Sequence, residues 1–362
     1  MKAINHLLDD VELQKERGLR FYLGMSQIGN PNQRLLWLRW RWLMPDDWEP
    51  RVLRLLDLGN VVEEDLIKKL RKIPGASIFD LEPSGKQLQV KTLGGHLKGH
   101  LDGIAKKLPG LDPKNAYLLE FKTANDNRFK KLQSLGSYCD WSEEYAAQIH
   151  MYMGLAKLKH CIAIVYNKNN SDLYTEIIEY DKDSFDLLID KATNILSSDR
   201  PPDNYIPETD YRIKNYMTPK QRGAYLGRTL PPKIHCRSCR FAEVNLDGSD
   251  GTWHCNKHGR DISNDRQLKG CKNHNYIPGL IPAHCIEKDD SIVIYEKDEM
   301  RFVNVPEGKH SKEDNFYSSK ELIEVINSGF PKEALEQYNK IKHLFDGTIQ
   351  KIRPWVDTGV PF

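Results

Sequence analysis

The stretch YLLEFKT, residues 117–123, has the apolar composition of a buried strand but carries two charges. Residues two apart on a strand point to the same face, so Glu120 and Lys122 share one face while Leu119 and Phe121 share the other. A carboxylate and an ammonium on an otherwise apolar strand lose their solvation unless a metal ion or a ligand compensates them. The stretch therefore predicts both the middle of a sheet and a functional site.

A second carboxylate precedes this strand, in the run GHLKGHLDGIA that begins at Gly95. We predict a strand over 96–105, and the glycines at 99 and 103 allow a ligand or another backbone to approach Asp102 closely. Two neighbouring carboxylates offer the hard oxygen ligands that Mg²⁺ prefers, with Mn²⁺ as a substitute. Such a pair suits phosphodiester hydrolysis, in which Lys122 would orient or deprotonate the attacking water or stabilise the charge on phosphorus.

The order of predicted elements around these residues is that of a layered α/β fold with a central mixed sheet flanked by helices. A helix is followed by three strands, a second helix, two further strands and a third helix. In chain order we expect these elements at 51–71, 87–93, 96–105, 117–123, 142–158, 161–166, 174–180 and 184–196.

The first of these helices carries two adjacent glutamates, and helix geometry distinguishes between them. Glu63 has Leu66, Ile67 and Leu70 at the spacings i+3, i+4 and i+7, so it lies on the stripe that faces the core. Glu64 lies nearer the edge of that stripe. We therefore assign Glu63 to the metal side of the site, with a solvated helix charge as the alternative.

The second helix carries Gln148 and Tyr152, four residues apart and thus on one face. Gln148 is expected to hydrogen-bond Lys122, the attacking water or a phosphate, and Tyr152 to contact DNA. The alternative is a helix that packs through its apolar residues while Gln148 meets solvent.

Taken in order, these residues resemble the signature of the PD-(D/E)xK nuclease superfamily, in particular its RecB-like and lambda-exonuclease-like phage-type exonucleases. The resemblance covers about residues 30 to 200. It implies a restriction-endonuclease-like core, Mg²⁺-dependent hydrolysis of DNA from duplex ends in recombination or DNA processing, and a possible strand-annealing partner protein. The residues that carry it, or that it places near the site, are Glu63, His100, Asp102, Glu120, Lys122, Gln148 and Tyr152.

One departure, one open question and two alternatives accompany this resemblance. The 17 residues between Asp102 and Glu120 predict a long hairpin, and a structural role for His100 is as well supported as a place in the site. Within the same superfamily, the alternative is an endonuclease or a CRISPR- or helicase-associated nuclease. In a different class, it is a noncatalytic DNA-binding or assembly protein with a degenerate nuclease fold, against which the intact Asp102, Glu120, Lys122 and Gln148 argue.

The overall charge is nearly balanced, with 53 basic and 51 acidic residues and a formal net charge of +2. DNA binding therefore requires the basic residues to be gathered locally. The nearest candidates for phosphate contacts are Arg128, Lys130 and Lys131, directly after the YLLEFKT strand.

Five of the seven cysteines lie between residues 236 and 285. An odd number of cysteines argues against a disulfide framework, whereas a C-x₂-C pair followed by further cysteines is typical of zinc sites. We predict Cys236, Cys239, Cys255 and Cys271 as zinc ligands, with His274 as an alternative ligand. An iron–sulfur cluster is less favoured, because the relatives that bind one place a cysteine before the nuclease core.

These observations divide the chain into four parts. We predict a nuclease domain at 1–200, a basic linker at 201–233, a cysteine-rich zinc module at 234–285 and a C-terminal α+β extension of unassigned role at 286–362. The apolar runs are too short to span a bilayer and the first residues do not form a signal peptide, so we expect a cytoplasmic protein with no membrane contact, in a phage or bacterial host. The ring-shaped relatives leave homo-oligomerisation open.

Overall fold

The structure is a computed structural model that describes residues 2–15, 18–45, 47–203, 206–308, 313–329 and 332–344. Its first part contains the predicted order of helices and strands. Along the chain these elements are α1 (Lys2–Gln14), β1 (Leu23–Gly24), α2 (Gln33–Trp40), α3 (Pro50–Leu70), β2 (Ser77–Phe79), β3 (Gln89–Thr92), β4 (Leu97–His100), β5 (Gly103–Lys106), β6 (Ala116–Ala124), α4 (Asp126–Leu135), α5 (Tyr138–Trp141), α6 (Glu143–Ala156), β7 (His160–Asn167), β8 (Leu173–Glu179) and α7 (Lys182–Ser197).

The YLLEFKT stretch lies in β6, the middle strand of a five-stranded sheet with the order β2-β5-β6-β7-β8. Strand β6 runs parallel to β7, with Glu120 opposite Ala163, and every other neighbouring pair in this sheet is antiparallel. The predicted mixed α/β class is thereby confirmed. The antiparallel pairing of β5 with β6 also confirms the long hairpin predicted between Asp102 and Glu120.

Helices cover both faces of this sheet. Ile67 of α3 packs with Leu119 and Phe121 on one face, as the alternation along YLLEFKT predicts. On the other face, Leu118 belongs to the large apolar cluster that also contains Ile149 of α6. Helices α3 and α6 therefore lie on opposite faces of the sheet. Side chains from the two helices reach the edge of the sheet from two directions.

The strand predicted over 96–105 is interrupted, which corrects that expectation. Its first half, β4, joins a small sheet of order β1-β4-β3, and its second half, β5, joins the central sheet. The backbone N–H of Leu101 donates to the carbonyl of Leu88 at 2.9 Å, so the chain leaves one sheet and enters the other at Leu101 and Asp102. A pattern of alternating residues cannot reveal this change, because both halves have strand periodicity.

The segment predicted as a basic linker contains two helices that pack on the N-terminal part of the chain. The Tyr225 hydroxyl accepts a hydrogen bond from Asn32 at 2.9 Å, and the Tyr225 carbonyl accepts one from Arg34 at 3.0 Å. Tyr225 is fully buried, so these residues belong to the core of the molecule rather than to an open connection. The helices are α8 (Tyr211–Tyr216) and α9 (Pro219–Tyr225).

The cysteine-rich segment forms a small antiparallel sheet that is docked on the N-terminal part of the chain. Trp253 stacks on Trp40 of α2 with their ring centroids 5.0 Å apart, and both side chains belong to the large apolar cluster. The backbone N–H of Gly251 donates to the carbonyl of Gly94 at 2.8 Å. The elements of this segment are β9 (Ala242–Val244), β10 (Trp253–Cys255), β11 (Arg260–Ile262) and α10 (Asn264–Gln267).

The remaining described residues form a four-stranded sheet and two helices, in agreement with the predicted α+β extension up to residue 344; residues 345–362 of that predicted part lie outside the described ranges. Asn304 accepts a hydrogen bond from the backbone N–H of Tyr276 and so ties this sheet to the preceding segment. Within the described ranges, every helix is too short or too polar to cross a membrane. The elements are β12 (His284–Lys288), β13 (Val293–Lys297), β14 (Met300–Val305), β15 (Phe316–Ser318), α11 (Ser319–Asn327) and α12 (Lys332–Leu344).

Candidate active site

Glu120 is the most deeply buried acid of the predicted site, with no exposed surface. One of its carboxylate oxygens accepts a hydrogen bond from Lys122, which the strand period brings to the same face. The other oxygen accepts a hydrogen bond from the Gln148 side chain at 3.2 Å. Gln148 thus contacts Glu120, the partner of Lys122, and its contact with the attacking water or a phosphate stays a prediction.

Asp102 stands beside this group because of the change of sheet between β4 and β5. Its Oδ2 accepts a hydrogen bond from the backbone N–H of Phe121 at 2.8 Å. That bond joins the point where the chain changes sheets to the strand that carries Glu120, so the two carboxylates are neighbours across 17 intervening residues.

Of the two glutamates on α3, Glu63 faces the site. It is half-buried, and the charged groups that act on it include Asp102 and Lys122. Glu64 is exposed and forms an ion pair with Lys68 at 3.5 Å. The inward stripe read from the spacing of apolar residues is therefore the face that meets the sheet.

The crowding of these acids shifts their proton affinities. Burial, together with the charge of Asp102, raises the pKa of Glu63 to about 7. Burial raises the pKa of Glu120 to about 8, with Lys122 opposing the rise and Asp102 adding to it. Burial also raises the pKa of Asp102, against the influence of Lys122. Such perturbed groups cluster at functional sites, and a cation placed among them would favour their ionised forms.

The pKa shift of Lys122 favours its charged form, whereas the shifts of the three acids favour their neutral forms. Burial by itself would lower the pKa of its ammonium, but the charges of Glu120 and Asp102 outweigh this, so the pKa lies above its ordinary value. Lys122 is thus held as a cation. In this arrangement it is suited to stabilise negative charge, and it can act as a base only if a competing cation weakens its acidic partners.

The donor set fits a hard divalent cation, because it consists of carboxylate oxygens in a water-poor pocket. In the described ranges, no group of three or more His, Cys, Asp or Glu side chains is arranged so that it can hold a metal ion. In this pocket the carboxylates already accept hydrogen bonds from the protein. Asp102 accepts one from the backbone N–H of Phe121, and Glu120 accepts one each from Lys122 and Gln148. A cation has to compete with those donors.

Tyr152 does not reach a surface where DNA could bind, which corrects the predicted role. Its side chain is only 3% exposed and lies against Gly99 of β4, where an added Cβ would be 2.3 Å from a Tyr152 ring carbon. The Tyr152 hydroxyl interacts with Gln148. Tyr152 therefore holds the Gln148 side chain in position, and Gln148 in turn holds the Glu120 carboxylate.

Among the three predicted phosphate contacts, Arg128 is the one that shares an aromatic neighbour, Tyr145, with Lys122. Its guanidinium lies 5.8 Å from the ring centroid of Tyr145, and the Lys122 ammonium lies 5.1 Å from the same centroid. Lys130 instead pairs with Asp126 at 2.7 Å with its side chain 70% exposed, and Lys131 is also exposed. Sequence reasoning missed Tyr145, although it lies three residues before Gln148 and so shares its helix face.

His100 lies in a separate basic cluster on the small sheet. Its ring is 6.3 Å from that of Tyr22, and the ammonium of Lys98 and the guanidinium of Arg20 lie 5.3 Å and 5.4 Å from the same tyrosine ring. Burial, then Lys98 and Arg20, lower the pKa of His100. The face that His100 was predicted to share with Asp102 is lost where the chain changes sheets, and the cluster could not be predicted because it depends on the long-range pairing of β1 with β4.

The four predicted zinc ligands Cys236, Cys239, Cys255 and Cys271 line one cavity of about 30 Å³. The alternative ligand, His274, also borders this cavity, but its Nε2 lies 3.0 Å from the hydroxyl of Ser238 and its side chain is buried. His258 also borders the cavity, with its Nε2 3.6 Å from the Sγ of Cys271.

Comparisons with known proteins give only distant likenesses. The sequence matches no protein-family model and no curated protein. The crystal structure of SSO0001 covers 60% of this chain and 97% of its own, at 14% identity and a TM-score of 0.36. The alkaline exonuclease LHK-Exo from Laribacter hongkongensis covers 53% of this chain and 90% of its own, at 12% identity, with TM-scores of 0.34 alone and 0.37 in complex with dAMP. At these values the likenesses carry no argument, and the function has to be argued from the site.

Proposed function

We propose that this chain is a metal-dependent deoxyribonuclease, and specifically a Mg²⁺-dependent exonuclease that hydrolyses phosphodiester bonds from duplex ends. The observation that carries the proposal is the fully buried Glu120 carboxylate, joined to Lys122 and Gln148 and surrounded by Asp102 and Glu63. A structural ion pair needs one carboxylate, whereas this pocket collects three acids around one lysine. Such crowding destabilises the metal-free pocket and is expected where a cation completes it.

Each residue then has a separate role. Glu63, Asp102 and Glu120 would hold Mg²⁺, with Mn²⁺ as a substitute, and the ion would supply Lewis-acid polarisation of the phosphodiester and a more acidic water. Lys122 would stabilise the charge that develops on the phosphate and orient the attacking water. Gln148 would hold the Glu120 carboxylate in place, supported by Tyr152.

DNA as the substrate is supported by the cations on two sides of the acids. Arg128 lies next to Lys122 across Tyr145, and the cluster of Arg20, Lys98 and Tyr22 lies on the sheet that leads to Asp102. A duplex is contacted mainly through its phosphates, so cations that flank a metal site are the expected arrangement. In this proposal the enzyme serves recombination or DNA processing, where a strand-annealing protein would take up the exposed single strand.

The decisive experiment is digestion of a linear duplex and of the same DNA as a closed circle, with Mg²⁺, Mn²⁺ or no added metal. We expect Mg²⁺-dependent loss of the linear form alone, because the proposal assigns the enzyme to duplex ends. Cleavage of the circle as well would replace the exonuclease with an endonuclease at the same site. Absence of cleavage under both metals would instead favour the noncatalytic DNA-binding protein.

Two lysines provide a matched pair of variants for this assay. Lys122→Ala removes the cation beside Glu120 and should lower cleavage by about 100-fold or more, the usual loss for a charge-stabilising group. Lys288→Ala removes an exposed lysine of β12 and should change cleavage by less than about threefold. Equal losses in both variants would show that the Lys122 effect is one of general charge.

A further inference from the structure

The cysteine cavity contains four thiols from three separate parts of the module. Cys236 and Cys239 come from the turn before β9, Cys255 ends β10, and Cys271 follows α10. We propose that these four cysteines bind one zinc ion, and that this ion keeps the module docked on the small sheet that leads to Asp102. The proposal extends beyond the nuclease chemistry, since the cavity is separate from the buried acids.

The donor chemistry favours a soft divalent cation. Thiolates in a tetrahedral set of four are the usual ligands of structural zinc. The Sγ of Cys236 lies 3.5 Å from the carbonyl of Arg266, and the described thiols are not arranged in the structure to hold an ion, so this thiol has to turn toward the other sulfurs when an ion binds. The Nε2 of His258 lies 3.6 Å from the Sγ of Cys271, so this imidazole borders the proposed ion site.

The module also needs such an ion on energetic grounds. Its three strands have three residues each, and its largest buried apolar side chain, Trp253, packs against the nuclease part rather than inside the module. Sheets this short gain little from their own hydrogen bonds and burial. Small modules of this kind obtain their folding free energy from the metal.

The turn between Cys236 and Cys239 carries the residue that fastens the module to the nuclease part. Arg237 is fully buried, and its guanidinium donates to the backbone carbonyl of Trp40 at 2.7 Å and to that of Phe21 at 2.8 Å. It also donates to the Gln267 side chain at 2.9 Å. Because both flanking cysteines would be ligands, an ion in the cavity would fix the backbone from which Arg237 extends.

A second attachment lies at the same end of the small sheet, because β1 and β4 run parallel. The backbone of Gly251 bonds to Gly94, and the Nε2 of His96 lies 3.0 Å from the carbonyl of Thr252. Phe21 shortly precedes β1, and His96 directly precedes β4, so the module contacts the chain just before both strands. Strand β4 ends at His100, and Leu101 and Asp102 follow it directly. The ion would therefore support the strand that positions one of the predicted catalytic acids.

The test is the metal content of the full-length protein, purified without chelator and measured by mass spectrometry for zinc and iron. The variants Cys255→Ser and Cys271→Ser remove proposed ligands, and Cys139→Ser and Cys285→Ser are controls, because those half-buried cysteines lie outside the cavity. We expect one zinc per chain in the wild type and both controls, and about tenfold less zinc in the two ligand variants.

Iron in place of zinc, absence of metal from the wild type, or equal zinc loss in the control variants would overturn the proposal. If the ligand variants fail to fold, the wild type is titrated with a thiol-reactive mercurial instead. Release of zinc as four thiols are modified supports the site. Release of zinc without thiol modification overturns it. The docking is tested with Arg237→Lys, which should keep its zinc but lose protection of the 234–285 segment from protease. Zinc content does not depend on cleavage of DNA, so this result stands apart from the proposed nuclease function.

Discussion

Replacement of Glu63 by glutamine tests the electrostatics of the acid pocket without any assay of cleavage. The folded pKa of Glu63 is about 7, above an ordinary value of 4.5, so the folded protein binds more protons than the unfolded chain between these values. The stability contributed by this carboxyl is complete below pH 4.5 and is lost as the pH rises through 7. Wild type should therefore lose stability relative to Glu63→Gln as the pH rises from 5 to 8.

The size of this loss follows from the pKa difference. Each pKa unit corresponds to about 1.4 kcal/mol, which for full burial would give about 3 kcal/mol. Glu63 is only partly buried, and screening by solvent reduces the figure to about 1–2 kcal/mol. Glu63 also raises the pKa of Glu120, so its replacement relieves that acid as well and acts in the same direction.

The measurement is the free energy of unfolding in urea at pH 5, 6, 7 and 8, in Mg²⁺-free buffer without a chelator so that the cysteine cavity is not disturbed. Glu64→Gln is the matched control, because this neighbouring acid is exposed and paired only with Lys68. Added Mg²⁺ should restore stability to the wild type at pH 8, by about 1.4 kcal/mol at tenfold the dissociation constant, and less to Glu63→Gln. A difference between wild type and Glu63→Gln that is constant with pH, or the same slope in Glu64→Gln, would refute the reasoning.

Two further perturbations address DNA contact and packing. Arg128→Ala should weaken duplex binding and reduce the slope of log affinity against log salt concentration by about 1, as measured by fluorescence anisotropy. Lys130→Ala should change this slope less, because Asp126 already pairs with that lysine. Equal slopes in both variants would contradict the placement of Arg128. Gly99→Ala should destabilise the protein by about 1–3 kcal/mol, since its Cβ would meet the buried Tyr152 ring. Gly59 lies in open space within α3, so Gly59→Ala should stabilise the protein by about 0.5–1 kcal/mol. Both glycine variants are measured by thermal or urea unfolding. An unchanged stability in Gly99→Ala would mean that the Tyr152 side chain is free to move.

Much of the site could be predicted from sequence because it depends on local periodicity. The spacing of two on a strand brought Glu120 and Lys122 to one face, and the apolar stripe of α3 distinguished Glu63 from Glu64. The cysteine spacing likewise identified four thiols that line one cavity. Each of these inferences uses residues within a single element or a short segment, where backbone geometry alone decides which side chains are neighbours.

The sequence by itself determined the order of elements, the mixed α/β class and the residue types gathered at the site. Only the tertiary structure decided that the chain changes sheets at Asp102, that Tyr152 is buried against Gly99, and that Arg237 fastens the cysteine module. The physical reason is that each of these depends on contacts between residues far apart in the chain. Such contacts are set by how whole elements pack, and the period of side chains along one element carries no record of them.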